Sequence, residues 1–300
     1  MAEIVTETER SIRRAARRGL VVFLPLVVVL SGAVETWLIL HPQQAGIGIA
    51  VLMFCPTIAA VVTRLVRREG FADVSFRLGG RRALPWYALA VLLPLAVGSL
   101  AYGVAAATGL IGMTGGGGAV LALLGALLFG PVWVAIVFAA GEEIGWRGYL
   151  LPRMIDAGAP YPLLLVGLIW SAWHLPLIFA GLYVASTAPL ALTVVLFVIA
   201  ATAISIIFSR MRLATGSVWT AVVAHGIWNA VIQGAFDRAA AGEQVTLWVG
   251  EAGVLTVVVL VVLAVLVTHG PGGRTRVELG RRPGEPDRPV VSANDGPGTA

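Results

Sequence analysis

The chain contains no lysine: all 21 of its basic residues are arginines, set against 16 acidic residues. It has one cysteine, Cys55, which excludes an internal disulfide framework and a thiolate metal cluster. Cys55 lies in an apolar run beside Pro56 and reads as a buried, inert thiol. Charge of either sign is scarce, at 12% of residues, where a soluble domain carries about 25%. That excludes an ordinary soluble protein. Several catalytic signatures are missing as well. Without Gly-x-Ser-x-Gly there is no nucleophile elbow. Without His-Glu-x-x-His the short-motif zinc peptidases drop out, and no glycine loop cradles a phosphate.

What is there is apolar. Hydrophobic residues make up 58% of the chain, with nine tryptophans, and the mean hydropathy is +0.89. Runs of about 20 apolar residues match the hydrocarbon thickness of a bilayer. The expected spans are 20–40, 46–63, 84–108, 119–140, 161–182, 188–208, 217–236 and 247–268, about eight in all. The fold class expected is therefore all-α, a polytopic transmembrane helical bundle. A basic segment, 1–18, precedes the first span, which is too long for a cleaved signal peptide and reads as a retained helix. With the N-terminus inside, the inner segments 1–18, 64–83, 141–160, 209–216 and 269–300 hold every arginine except Arg238. That asymmetry predicts cytoplasmic N- and C-termini. It also explains the formal charge of +5 without a nucleic-acid partner. Arg64, Arg67, Arg68, Arg77, Arg81 and Arg82 read mainly as topology determinants. Gly115-Gly-Gly-Gly118 reads as a flexible external turn. Residues 269–300, rich in Pro, Gly and charge, read as a disordered cytoplasmic tail able to touch anionic lipid. Residues 19–268 form the integral-membrane domain.

Ionisable residues in such a chain are costly and call for a function. Three segments within 141–236 carry them. Gly141-Glu142-Glu143-Ile144-Gly145-Trp146-Arg147 follows an apolar run, so its helix is expected to end at or enter the cytoplasmic interface. Glu143 and Arg147 are four apart and can pair; Glu142 points about 100° away. An interfacial charge cluster ending a helix is the plain alternative. Trp170-Ser171-Ala172-Trp173-His174-Leu175-Pro176 places His174 inside a span, with Pro176 disrupting the helix nearby; a histidine satisfied by a neighbouring helix is its alternative. His225-Gly226-Ile227-Trp228-Asn229 puts His225 and Asn229 on one helical face, with Gln233 a turn further on. Donors so placed can face a developing oxyanion or act as interhelical glue. Together the segments supply what peptide hydrolysis needs: an activator of water, a proton donor for the leaving amine and oxyanion donors.

These segments resemble the CAAX-protease and bacteriocin-processing family, which includes type II CAAX prenyl endopeptidases. Glu142, Glu143 and Arg147 match its Glu-Glu-x-x-x-Arg motif, His174 its Phe-x-x-x-His with Trp170 in place of phenylalanine, and His225 and Asn229 its His-x-x-x-Asn. The order agrees, and the resemblance covers roughly residues 119–236. It implies an intramembrane endopeptidase acting on membrane-associated or lipidated peptides or proteins. Glu142, helped by Glu143, and His174 would activate water; His225 and Asn229 would hold the oxyanion; Arg147 would orient the carboxylates. Family members are often called metalloproteases, and Glu142 or Glu143, His174 and His225 supply the ligand types of a zinc site. A metal-free glutamate–histidine mechanism uses the same residues and is the preferred reading, while both stay open. Membrane lipids and a peptide substrate are the expected partners, and the bacterial cytoplasmic membrane the expected location. Two other classes remain: a non-catalytic immunity or scaffold protein, and an ion-coupled transporter.

Overall fold

The computed structural model describes residues 2–184 and 186–269. The tail expected to be disordered lies, from residue 270, outside the described residues. Among the described residues the fold is all-α apart from one short antiparallel pair. Its helices are α1 (Ala2–Leu40), α2 (Ala45–Arg67), α3 (Leu84–Ala107), α4 (Gly116–Leu128), α5 (Pro131–Gly145), α6 (Leu151–Asp156), α7 (Pro162–Phe179), α8 (Leu190–Thr215), α9 (Val218–Trp228), α10 (Asp237–Ala239), α11 (Val245–Trp248) and α12 (Val254–His269). Two π-helical segments, Trp146–Leu150 and Asn229–Phe236, follow α5 and α9. Among the described residues five helices are long and apolar enough to cross a membrane: Glu7–Leu40, Pro42–Arg67, Gly80–Ala107, Pro162–Phe179 and Leu190–Thr215. The chain is a multi-pass membrane protein. Exposed rows such as Val195 and Ile199 on α8, or Val258, Val262 and Val265 on α12, suit a lipid-facing surface.

The structure departs from the expected spans where backbone chemistry intervenes. The run 119–140 is divided at Gly130–Pro131 into α4 and α5. Pro131 lacks the N–H that a continuing helix needs, yet its fixed φ suits the first turn of a new one. The glycine run is no open turn: Gly116–Leu128 is helical, and β1 (Gly112–Met113) just before it pairs with β2 (Ala240–Ala241). The run 247–268 begins its helix only at Val254. The basic segment 1–18 is continuous with the first apolar run in one helix.

α5 packs between α2 and α9, α7 against α8, and α3 and α8 against α9. Two glycines set the α5–α2 contact. A Cβ on Gly141 would stand 2.7 Å from the Met53 carbonyl oxygen, and one on Gly145 2.5 Å from the Pro56 carbonyl carbon. Small residues four apart let membrane helices approach this closely, and Thr57 Oγ1 donates to the Gly141 carbonyl at 2.6 Å. With glycines against α2, the intervening Glu142 and Glu143 turn toward α7 and α9. Gly145→Ala is expected to destabilise the protein by about 1–3 kcal/mol, the usual cost of overpacking; thermal unfolding in detergent reads the loss.

Where α2, α6 and α8 end, an ion cluster is sealed inside. Asp73 joins Arg64 (2.6 Å) and Arg153, while Arg153 Nη2 reaches Glu69 at 2.8 Å. Arg212 donates to the Asp73 carbonyl at 2.8 Å. Tyr149 lies between the Arg64 and Arg153 guanidiniums, at 5.0 and 4.8 Å. Arg64 therefore does more than mark topology: it is buried, and its Nη2 donates to Gly148 O at 2.9 Å in the π turn. Arg67, Arg68, Arg77, Arg81 and Arg82 are exposed.

Candidate active site

The helical path carrying the glutamate pair does not end beside it. After Glu142 and Glu143 it continues through the π turn Trp146–Leu150 into α6, which ends at Asp156. Both carboxylates are consequently deep: Glu142 is 2% exposed and Glu143 0%. π segments recur at functional sites because they re-aim side chains without breaking the helix. Both of those here touch the motif residues, one holding Arg147 and the other opening at Asn229.

A cavity of about 850 Å³ is lined by residues of α2, α5, α7, α8, α9, the π segment after α9, the turn before α12 and α12 itself. Glu142, His174, His225 and Asn229 line it, as do Trp170 and Trp173, with an apolar wall that includes Ile49, Leu52, Met53, Val134 and Phe138. Glu143 and Arg147 do not line it; Glu143 meets His225, and Arg147 lies over the Trp170 and Phe208 rings. Arg147 Nη1 donates to Glu143 Oε1 at 2.6 Å, and His225 Nδ1 meets the same oxygen at 2.9 Å. The two neighbouring glutamates thus have different positions: Glu142 faces the cavity, and Glu143, outside its lining, holds Arg147 and His225.

Hydrogen-bond chemistry fixes the ring nitrogens. His174 Nδ1 lies 2.9 Å from the Trp170 carbonyl. A carbonyl only accepts, so Nδ1 carries a proton, and in the neutral ring Nε2 keeps its lone pair. His225 Nδ1 likewise donates, here to the Glu143 carboxylate. A second donor at its Nε2 requires the imidazolium, and Glu143 is the counter-ion such a cation needs in a dry interior.

Trp170 joins these groups. Its Nε1 donates to Glu142 Oε2 at 2.7 Å. Its ring meets His174 and His225 edge-on, each at 5.3 Å, and Arg147 lies over it at 4.7 Å. Trp170, standing where the motif has phenylalanine, supplies a hydrogen bond to the cavity-facing carboxylate that phenylalanine cannot. Phe208 stacks on His225 at 5.7 Å.

The donors do not fit a metal as placed. Among the described residues no group of three or more His, Cys, Asp or Glu side chains is arranged to hold an ion, whereas a zinc site takes at least three protein ligands. Glu142 Oε2 is already shared with an indole N–H.

Two ionisable residues of the cavity lining, Arg238 and Glu251, lie outside the three motifs. Glu251, in the turn before α12, accepts from Gln233 Nε2 (2.7 Å), Trp228 Nε1 (3.1 Å) and Tyr183 Oη (2.5 Å). It lies inside the run 247–268, where the high cost of an ionisable residue marks it just as it marks Glu142. Gln233 is thus bound to a carboxylate.

An all-α, multi-pass membrane protein with a buried carboxylate–imidazole cavity is the class these features define. Residues 117–231 match the family model described as Type II CAAX prenyl endopeptidase Rce1-like. The match runs from α4 into the second π segment and includes all six motif residues, so over that stretch the chain resembles the CAAX proteases. No curated protein matches the chain.

Proposed function

We propose that the chain is an intramembrane endopeptidase whose membrane domain, residues 19–268, hydrolyses peptide bonds by a water activated between Glu142 and His174. The observation that carries this reading is the shared cavity: Glu142 from α5, His174 from α7, and His225 and Asn229 from α9 and its π continuation line one largely apolar cavity. A water hydrogen-bonded to His174 Nε2 gives its proton to Glu142 as its oxygen attacks the carbonyl carbon. The negative charge then moves to the carbonyl oxygen, within reach of His225 Nε2–H and the Asn229 amide, in a site where fixed donors act strongly. Glu142 returns the proton to the amine nitrogen as the C–N bond breaks. Arg147 and Glu143 hold His225 in place. No step passes through a metal.

The apolar wall from α2 and α5 favours a membrane-associated or lipidated peptide as substrate. The arginine asymmetry supports eight passes with both termini cytoplasmic, in a bacterial cytoplasmic membrane. Hydrolysis of a quenched peptide library by detergent-purified protein tests the reading. His174→Ala is expected to lower kcat by about 10²–10⁴-fold, the range of general acid–base groups, and metal stripping is expected to leave the wild-type rate unchanged. Wild-type turnover in His174→Ala sinks the site; loss on stripping with rescue by zinc replaces the metal-free mechanism.

A further inference from the structure

We infer that Glu251 is a positioning residue for this site, acting through Tyr183 on His174 and through Trp228 and Gln233 on the segment that carries Asn229. The inference rests on the hydrolytic reading above and adds a group outside its three motifs.

Three observations converge. First, the Glu251 carboxylate is held by three donors from two different walls of the cavity: Tyr183 from the α7–α8 connection, and Trp228 and Gln233 from the end of α9 and its π continuation. Trp228 immediately precedes Asn229, so the contact fixes the backbone just where the π segment begins. Second, the Tyr183 ring stacks on the His174 imidazole at 5.2 Å and an interplanar angle of 26°. His174 is tied at Nδ1 to the Trp170 carbonyl, which sets one nitrogen but leaves rotation about that bond. The stacked tyrosine sets the ring plane and hence the direction of the Nε2 lone pair. Third, the chain holds Tyr183 under strain. Val184 has φ +53, a conformation that is a true outlier for a β-branched side chain. Such strain persists only where surrounding contacts over-determine it. The Glu251 contact is such a restraint, and Gly250 at φ +86 supplies the turn that delivers it.

Tyr183, Gln233 and Glu251 also form the wall between the main cavity and a second one of about 300 Å³. The same hydrogen bonds that orient His174 therefore close one end of the site.

The test compares Glu251→Gln, Tyr183→Phe and the double variant of the full chain in detergent, with Glu142→Gln alongside. Each single substitution is expected to lower kcat about ten- to a hundredfold, the scale of a misplaced catalytic group, with KM and unfolding temperature little changed. Because both remove the same link, the double variant should be no slower than the slower single one. Ring resonances of the four histidines in isotopically labelled protein supply a readout without turnover: the His174 signal should shift in Glu251→Gln as the Tyr183 ring leaves it. Wild-type kcat in both singles with Glu142→Gln inactive overturns the inference alone, as do losses that multiply in the double variant. An active Glu142→Gln overturns the hydrolytic reading instead, and the His174 signal then decides whether Glu251 holds Tyr183.

Discussion

Glu142→Gln is expected to abolish measurable hydrolysis, lowering kcat by about 10³-fold, while leaving the unfolding temperature close to that of the wild type. Glu143→Gln is expected to do something different. Glu142 faces a cavity and takes one indole hydrogen bond, so the amide keeps the shape and loses only the proton acceptor. Glu143 is sealed with Arg147 and His225 on one oxygen. Neutralising it leaves a guanidinium buried without its counter-ion, which costs about 3–5 kcal/mol. The pair of variants, measured side by side for kcat and for thermal unfolding, separates the two carboxylates. A stable, inactive Glu143→Gln beside an active Glu142→Gln would exchange their roles.

Asp73→Ala should be the most destabilising single change outside the site. Asp73 Oδ1 holds Arg64 at 2.6 Å and Oδ2 holds Arg153, and all three side chains are buried. Removing the carboxylate strands charge in the interior at about 3–5 kcal/mol. Arg67→Gln or Arg68→Gln, on exposed side chains, should stay within about 0.5 kcal/mol. Unfolding of the three variants in detergent checks the contrast, and an Asp73→Ala protein that melts like wild type refutes it. Arg64 also bonds Gly148 in the π turn beside Arg147. Asp73→Ala is therefore expected to slow hydrolysis as well as weaken the fold.

The helical class was legible because apolar runs of membrane length have few other uses. The motif residues were legible because each places a polar group where lipid or packed helix makes it costly. What escaped is long-range. Arg64 and Arg153 carry the same charge as Arg67 and Arg68, and only the fold reveals that Asp73, 80 residues from Arg153, closes a cluster around them. Gly130–Pro131 is a visible breaker that membrane helices often tolerate, so its reading as one span was a fair expectation that the α4–α5 division corrects. The depth of Glu142 depended on the helix beyond it. A Glu-Glu pair at the end of an apolar run looks like the end of a helix until the π turn carries the helical path on to Asp156. Glu251 was hidden by the loose boundary of the last run, whose helix starts at Val254.

The first helix has a mechanical consequence. Its 39 residues make a rod of about 58 Å at 1.5 Å per residue, close to twice the hydrocarbon thickness of about 30 Å. Even at a tilt of about 40°, roughly a third of it stands clear of the hydrocarbon. The arginine-bearing end is not joined to the bundle by a slack linker: Arg17 Nε donates to Ala157 O at 3.4 Å, and Gly19 lies against Tyr149 and Glu69. Tyr149 and Ala157 belong to the segment that continues from Glu142 through the π turn, and Glu69 follows α2. A load applied to that end is borne by a stiff lever whose fulcrum is the far end of the helix that carries the glutamates.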